Sequence, residues 1–241
     1  MKGVVLAGGL GTRLRPQTHI INKHLLLVYD KPMVAYPIET LVEGGISDIL
    51  VVTGGNTDGF IMILGEMNLG VRDLQFKYQK GEGGISAALS LAEQFSAGDS
   101  VCVILGDNCT DARIKEDVDA FRKGAKIFLK EVSDPERFGV PTFDEQNRIT
   151  RIDEKPKSPN SPFAVTGLYI FDGTVFDRIR TLAPSGRGEL EVTDLINTYI
   201  DEGLLTWTEL RGYWRDAGTF ETLAEVNNYW YQKAFQSKER K

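Results

Sequence analysis

Apolar and polar positions alternate along this chain with two different periods. Val4-Val5-Leu6-Ala7, Asp48 to Thr53 and Ser100 to Leu105 are continuous apolar runs of strand length, the pattern of strands covered on both faces. Leu74 to Gln79 alternates and adds a further strand. Helical patterns lie between them: Pro32 opens one through Met33, Tyr36, Ile38 and Leu41 that Gly44-Gly45 closes, and a second runs from Ile85 to Phe95. This alternation predicts an α/β fold, a mostly parallel mixed sheet with helices on both faces. Beyond residue 125 the elements shorten. Ala125 to Val132, Gly139 to Phe143, Arg148 to Ile152 and Ala164 to Phe171 read as strands joined by turns, which predicts antiparallel additions walling one side of a pocket. Gly188-Glu189-Leu190-Glu191 leads into a helix with Leu195, Ile196 and Tyr199 on its apolar stripe. A strand from Leu204 to Leu210 and a helix from Phe220 to about Phe235, carrying Leu223, Val226, Tyr229 and Trp230, complete the pattern.

Ligands of such sheets gather where the strands end at their carboxyl side. That rule puts Gly8 to Arg13, Gln79 to Gly84 and Asp107 on one rim. Gly8, Gly9 and Gly11 lack a Cβ, so the backbone can approach a ligand and turn N–H groups onto phosphate oxygens, with Thr12 adding a hydroxyl and Arg13 a cationic fork. The spacing is neither G-x-G-x-x-G nor a turn ending in Gly-Lys-Ser/Thr. A phosphate site is the favoured reading and a packing turn the alternative. Lys23 precedes an apolar run; from its own segment it reads as a solvated surface lysine, with a held cation facing an anion as the alternative. Asp107 follows a buried strand and a glycine, which suits an oxygen ligand for Mg²⁺ and equally a turn-forming Asp. Asp153-Glu154-Lys155-Pro156 offers an acid-base pair between two strands; alone it reads as a surface ion pair, the alternative being a partner for sugar hydroxyls. Asp216, in Trp214-Arg215-Asp216-Ala217-Gly218-Thr219, is a second acid at a strand end before a glycine. Two such acids, a glycine nest and a lysine are the parts that metal-assisted nucleotidyl transfer requires.

Composition narrows the field. The 241 residues are 41% hydrophobic and 26% charged, with no Pro/Ser linker, and predict a single domain. A net charge of −6 argues against nucleic acid or an anionic membrane surface as the main partner. No stretch reaches the roughly 18 apolar residues of a membrane span, and Met1-Lys2-Gly3-Val4 passes directly into a strand, so a cytoplasmic protein is expected. Cys102 and Cys109 read as buried thiols, and with two histidines the chain offers no standard zinc set. Trp230 and Tyr231 read as part of a core stripe, a homo-oligomer contact being the alternative.

In order along the chain, the glycine turn Gly8 to Leu14, Lys23, Tyr29-Asp30-Lys31-Pro32-Met33, Leu105-Gly106-Asp107-Asn108, Asp134-Pro135-Glu136-Arg137-Phe138-Gly139, Glu154-Lys155-Pro156, Val165-Thr166-Gly167-Leu168-Tyr169, Arg187-Gly188-Glu189-Leu190-Glu191 and Asp216-Ala217-Gly218-Thr219 resemble the sugar-1-phosphate nucleotidylyltransferases. Within that family the resemblance is to glucose-1-phosphate thymidylyltransferases of short form, and it covers essentially the whole chain. It implies the Rossmann-like nucleotide-diphospho-sugar transferase fold, with a nucleotide-binding part at about 1–124 and a sugar-binding part at about 125–241. Carried over residue by residue, it implies that Leu6, Gly8, Gly9, Gly11, Thr12 and Arg13 hold the nucleoside triphosphate, with Gln79 and Gly84 at the pyrimidine. Gly139, Glu154, Lys155, Val165 and Gly167 would surround the sugar, and Arg187 its phosphate. Asp107 and Asp216 would bind Mg²⁺, and Arg13, Lys23 and Asp107 would be catalytic.

The implied reaction is in-line attack of glucose 1-phosphate on the α-phosphorus of dTTP, giving dTDP-glucose and pyrophosphate. UTP or dual use is the alternative, since thymine and uracil differ by a methyl worth only about 1 kcal/mol in an apolar pocket. A non-catalytic sugar-nucleotide sensor is a third reading, disfavoured by the retained metal acids, and a dinucleotide oxidoreductase fails on glycine spacing. Three positions depart from the family pattern: Leu27 where proline is usual, Phe138 where tyrosine is common, and Lys80-Gly81-Glu82-Gly83 beside the base. The longer thymidylyltransferases carry further C-terminal helices, so an allosteric site or oligomer contact located there is expected to be lacking.

Overall fold

A computed structural model describes residues 1–55 and 57–239. In chain order the strands are β1 (Lys2–Ala7), β2 (Leu27–Val28), β3 (Lys31–Pro32), β4 (Asp48–Thr53), β5 (Asp73–Tyr78), β6 (Val101–Leu105), β7 (Asn108–Thr110), β8 (Ala125–Glu131), β9 (Gly139–Phe143), β10 (Ile149–Glu154), β11 (Phe163–Phe171), β12 (Leu205–Glu209) and β13 (Trp214–Asp216). The helices are α1 (Ala35–Glu43), α2 (Thr57–Gly65), α3 (Gly84–Ser90), α4 (Glu93–Ser96), α5 (Lys115–Ala120), α6 (Val175–Thr181), α7 (Val192–Asp201) and α8 (Phe220–Glu239).

A seven-stranded sheet in the order β12-β8-β11-β6-β1-β4-β5 forms the centre. β5, β4, β1 and β6 are parallel neighbours, β8 and β12 are parallel to each other, and β11 runs antiparallel to both its partners. The reason for the apolar runs is visible in how they alternate. Val4, Leu6, Leu50, Val52, Val101 and Val103 pack on one face with Leu89, Leu195, Ile196 and Tyr199. Val5, Ala7, Ile49, Val51, Cys102 and Ile104 pack on the other with Ile38, Leu41 and Phe60. Each such aliphatic side chain contributes about 1.5–3 kcal/mol by leaving water, so the covered strands are apolar except where a hydroxyl finds a partner, as Thr53 does in Thr57 and Thr166 in Phe128 O. Both cysteines are buried and free. Among the described residues no helix is long and apolar enough to cross a membrane.

Two small ribbons complete the rim. β9 and β10 pair antiparallel, as the second-half pattern predicts. β13 pairs antiparallel with β7, setting Asp216 opposite Asn108, and Ala217 N donates to Asp107 O at 2.8 Å. A third apolar cluster of Val28, Met33, Tyr36, Cys109, Ala217 and Val226 fastens α8 to this ribbon, with Trp230 packed on Tyr36 at 4.6 Å between ring centroids. Trp230 thus joins the core, whereas Tyr231 stays 51% exposed.

Some elements differ from expectation. Pro32 opens no helix: it pairs in β3 with Leu27, and α1 begins only at Ala35. The hairpin between them turns at Tyr29, whose φ of 57° is held by a bond from its N–H to Asn227 Oδ1. The helix expected from Ile85 to Phe95 is two, because Leu91 and Ala92 bond back three residues, to Ala88 O and Leu89 O, and Ser90 Oγ bonds Ala87 O. Asp153 and Glu154 lie within β10 and not between strands. Trp214 to Asp216, expected to follow a strand, form one themselves. Helix α2 carries too weak an amphipathic pattern to be read from the chain, and α5 and α6, of six and seven residues, are too short to show a repeat.

Candidate active site

The carboxyl ends of β1, β4 and β6 meet at glycines. A Cβ on Gly54 would lie 2.0 Å from Gly8 O, so only glycine lets the turns after β1 and β4 close together. Gly11, with φ 64°, starts the short 3₁₀ turn Thr12–Leu14 that carries Arg13. Gly9 and Gly11 also leave room for the Lys23 stem: a Cβ on Gly11 would stand 2.9 Å from Lys23 Cβ, and one on Gly9 would stand 3.5 Å from Lys23 Cε.

Lys23 begins its own 3₁₀ turn, capped by Asn22, whose Oδ1 accepts from His24 N and whose Nδ2 donates to Gly54 O. Held in this way, Lys23 Nζ reaches Asp107 Oδ2 at 2.6 Å, with the two side chains only 11% and 14% exposed. The reading of Lys23 as a solvated surface lysine is therefore corrected. Asn108 Nδ2 donates to the other oxygen, Asp107 Oδ1, at 3.0 Å. Burial by itself would raise the Asp107 carboxyl, but the adjacent Lys23 ammonium holds it well below the usual carboxylate range. His24 is also buried; loss of solvent and the charge of Lys23 push it down to about 3, so its ring is neutral.

Asp216 behaves in the opposite way. Burial and the charge of Asp107 push it up to about 6, against the pull of Arg137, Arg215 and Arg13. Arg137 Nη2 stands 3.3 Å from Asp216 Oδ2, while Asp216 Oδ1 is buried with no hydrogen-bond partner. An unpartnered buried carboxylate oxygen beside a second carboxylate is the environment expected of a cation ligand. Among the described residues no third acid, histidine or cysteine joins them, and such a pair suits Mg²⁺, which takes one or two carboxylates together with substrate phosphates and water.

Two cavities meet here. One, of about 360 Å³, is lined by Leu6, Gly8, Gly9, Arg13, Lys23, Gln79, Gly84 and Arg187; the other, of about 480 Å³, by Gly139, Val165, Gly167, Phe138, Trp214 and Asp216. Arg13, Asp107, Glu154 and Lys155 line both.

Residues 2–233 match the nucleotidyl transferase family. The chain belongs to that family. It is 43% identical over 237 residues to the glucose-1-phosphate thymidylyltransferase of Neisseria gonorrhoeae, covering 95% of this chain and 82% of that one. It is 42% identical over 235 residues to the enzyme of the same name from Xanthomonas campestris pv. campestris (strain B100), covering 95% and 80%. A Bacillus anthracis structure described as a glucose-1-phosphate thymidylyltransferase, solved with a sucrose, superposes with a TM-score of 0.89 at 44% identity over 95% of this chain and 94% of that one. A UDP-glucose pyrophosphorylase complexed with UDP-glucose shares the fold, with a TM-score of 0.85 at 24% identity over 96% and 98%.

Within this nucleotidyl transferase, most residues singled out from the sequence gather at the joined cavities. Gln79 is fixed by its N–H on Thr53 O, and its Oε1 lies where a Cβ on Gly8 would sit, 2.5 Å away. Glu154 and Lys155 form an ion pair at 3.0 Å, but at the border of both cavities, with Lys155 in a left-handed turn of φ 46°. Gly11 and Thr12 line neither cavity and shape the turn from behind. Arg187 lines the first cavity and not the second, its guanidinium 2.8 Å from Glu191, 3.4 Å from Glu154 and 3.5 Å from Glu189.

Four contributors escaped the sequence reading: His24, Asn108, Arg137 and Glu191. Asn108 Oδ1 accepts from Gly167 N at 3.0 Å and Trp214 Nε1 at 2.7 Å, tying β7, β11 and β13 together behind Asp107. Its signal was its place directly after Asp107, within the Leu105-Gly106-Asp107-Asn108 motif. Arg137 and Glu191 stood inside recognised motifs; the reach of Arg137 to Asp216 is fixed only by the fold, whereas Glu191 meets Arg187 four residues earlier in its own motif.

Proposed function

We propose that this chain transfers the nucleoside monophosphate of dTTP to glucose 1-phosphate, releasing pyrophosphate and forming dTDP-glucose. The observation that carries this reading is the junction of two cavities at a buried Lys23–Asp107 pair, next to the unpartnered oxygen of Asp216. The names of the Neisseria and Xanthomonas relatives supply the substrates.

In this reading Leu6, Gly8, Gly9, Gly11, Thr12 and Arg13 receive the nucleotide, Gln79 and Gly84 its base. Gly139, Glu154, Lys155, Val165, Gly167 and Arg187 receive the sugar phosphate. A sugar-phosphate oxygen bonds to the α-phosphorus as the bond to the β-phosphate oxygen breaks and pyrophosphate departs. The attacking group is already an anion, so no side chain has to act as nucleophile. Arg13 and Lys23 supply fixed positive charge at the junction and hold the reacting phosphates in line. Asp107 and Asp216 would hold Mg²⁺, which when bound supplies further charge to the phosphate oxygens. The chain acts as a single domain, its first half of about 1–124 serving the nucleotide and about 125–241 the sugar, and it works in the cytoplasm.

A pyrophosphate-release assay across four nucleoside triphosphates and several sugar 1-phosphates tests this. The expected maximum is with dTTP and glucose 1-phosphate. A maximum with UTP overturns the base assignment, and no release with any pair overturns catalysis.

A further inference from the structure

Asp216 sits at the inner end of a chain of alternating charges that reaches the first turns of α8. Glu225 Oε2 accepts from Arg215 Nε at 3.0 Å; Arg215 Nη1 donates to Asp134 Oδ1 at 3.1 Å and its Nη2 to Oδ2 at 3.4 Å. Asp134 Oδ2 accepts from Arg137 Nη1 at 2.6 Å, and Arg137 Nη2 reaches Asp216 Oδ2 at 3.3 Å. Arg215 and Asp216 are adjacent on β13 and therefore point to opposite faces. The chain thus leaves Asp216 on one face of the strand, passes through the 134–137 turn, and returns to the same strand on the other. Arg137 is further fixed by its place over the Phe138 ring, 5.4 Å from the centroid, and Phe138 packs edge-on against Trp214 at 5.5 Å. Only one of the two Asp216 oxygens receives a bond from this network. The other, Oδ1, is buried and unpartnered.

We infer that Arg137, anchored by Asp134, is a positioning residue that turns the Asp216 carboxylate so that Oδ1 is presented to a divalent cation. This rests on the reading of Asp107 and Asp216 as the cation ligands. The physical ground is that a carboxylate with both oxygens free rotates about its terminal torsion, whereas a bond on Oδ2 fixes Oδ1. Arg suits the position because its planar fork engages two carboxylates at once, which an ammonium cannot do with the same geometry. Outer partners of a ligating carboxylate commonly change metal affinity by about 10–100-fold when removed.

The test is Mn²⁺ binding to the nucleotide-free protein, followed by the loss of the free-ion electron paramagnetic resonance signal. Arg137→Lys keeps the positive charge beside Asp216 and removes the fork, and Asp134→Asn removes the anchor. Each is expected to weaken Mn²⁺ binding by about tenfold or more, and, in turnover, to raise the Mg²⁺ requirement with the glucose 1-phosphate KM nearly unchanged. Asp216→Asn is the control for the underlying reading. If Asp216→Asn loses Mn²⁺ while both network variants, folded by circular dichroism, bind within twofold of the parent, the positioning role is overturned and the ligand assignment stands. If Asp216→Asn itself keeps full Mn²⁺ affinity, the ligand assignment fails. Arg137→Lys removes the fork and Asp134→Asn only its anchor, so either alone decides if the other does not fold; unfolding of both assigns the network to stability and overturns the inference.

Discussion

Lys23 Nζ stands 2.6 Å from Asp107 Oδ2 across 84 positions of chain, and the contact joins the turn after β1 to the end of β6. Removing one member of a buried pair leaves the other charge without a partner, at a cost of about 3–5 kcal/mol. Lys23→Ala is therefore expected to lower the stability of the metal-free protein by roughly 3 kcal/mol, and Lys23→Ala with Asp107→Ala by less than the sum of the two single changes. Urea unfolding of the three variants measures this. Turnover in either single variant is expected to fall on the order of 10² or more, since a preorganised charge at the reacting phosphates is lost. Near-normal turnover in both would remove the proposed chemistry.

Asp216 sets a pH dependence of opposite sign to that of most carboxylates. Its folded value is raised from 3.8 to about 6, so between these values the folded protein holds more protons than the unfolded chain. The stability it contributes is complete below 3.8 and is lost as pH rises through about 6. At pH 7.5 the metal-free protein is then weakened by about 1–3 kcal/mol relative to a neutral side chain here. Asp216→Asn should melt higher than the parent at pH 7.5 without metal and show a shallower fall between pH 5 and 7. Added Mg²⁺ should raise the melting temperature of the parent and not of the variant. A parent and variant with parallel pH profiles would contradict this account.

The parts of the molecule that were legible in its sequence are those with a period. β4 falls at the expected residues and β6 within one, because a strand covered on both faces leaves an unbroken apolar run; β9, in a rim ribbon, also falls at the expected residues. Asp107 and Asp216 stood out as acids beside a glycine at a strand end, although for Asp107 a turn-forming role read equally well. Arg137 reaching Asp216 over 79 positions left no such trace, since a polar contact between distant segments has no repeat in the chain. Helix α2 was missed for a related reason: Thr57–Gly65 carries two glycines, and Ile61 and Met62 remain exposed, so its apolar residues do not form one stripe. Lys23 read as a surface residue because the carboxylate that buries it comes from another part of the chain.

Gly8 allows a separation of fold from base recognition. Its φ is not left-handed, and the first atom a Cβ would meet is Gln79 Oε1, the movable end of a side chain. Gly8→Ala is therefore expected to fold normally, with a melting temperature close to the parent, while pushing the Gln79 amide from its position. If Gln79 reads the pyrimidine edge, the dTTP KM rises by about 5–30-fold, the value of one or two displaced hydrogen bonds. The KM for glucose 1-phosphate should hardly change. An unchanged dTTP KM would dissociate Gln79 from the base.

Arg187 poses the corresponding question for the sugar phosphate. Its guanidinium is surrounded by Glu191, Glu154 and Glu189, and Glu191 also accepts from Ser185 Oγ at 2.7 Å. A phosphate arriving at this group must compete with Glu191 for the fork, and a dianion with bidentate geometry competes well. Arg187→Ala removes a charge-assisted bond worth about 1.5–3 kcal/mol, so the KM for glucose 1-phosphate should rise by about 10–150-fold with a smaller effect on dTTP. Glu191→Gln weakens the competitor without removing the cation. It should lower that KM, by a few-fold, unless Glu191 is needed to hold Arg187 in place, in which case the KM rises as in Arg187→Ala. The two outcomes are distinguished by adding Arg187→Lys: if competition rules, the lysine variant binds glucose 1-phosphate better in the Glu191→Gln background than alone, and if positioning rules it does not.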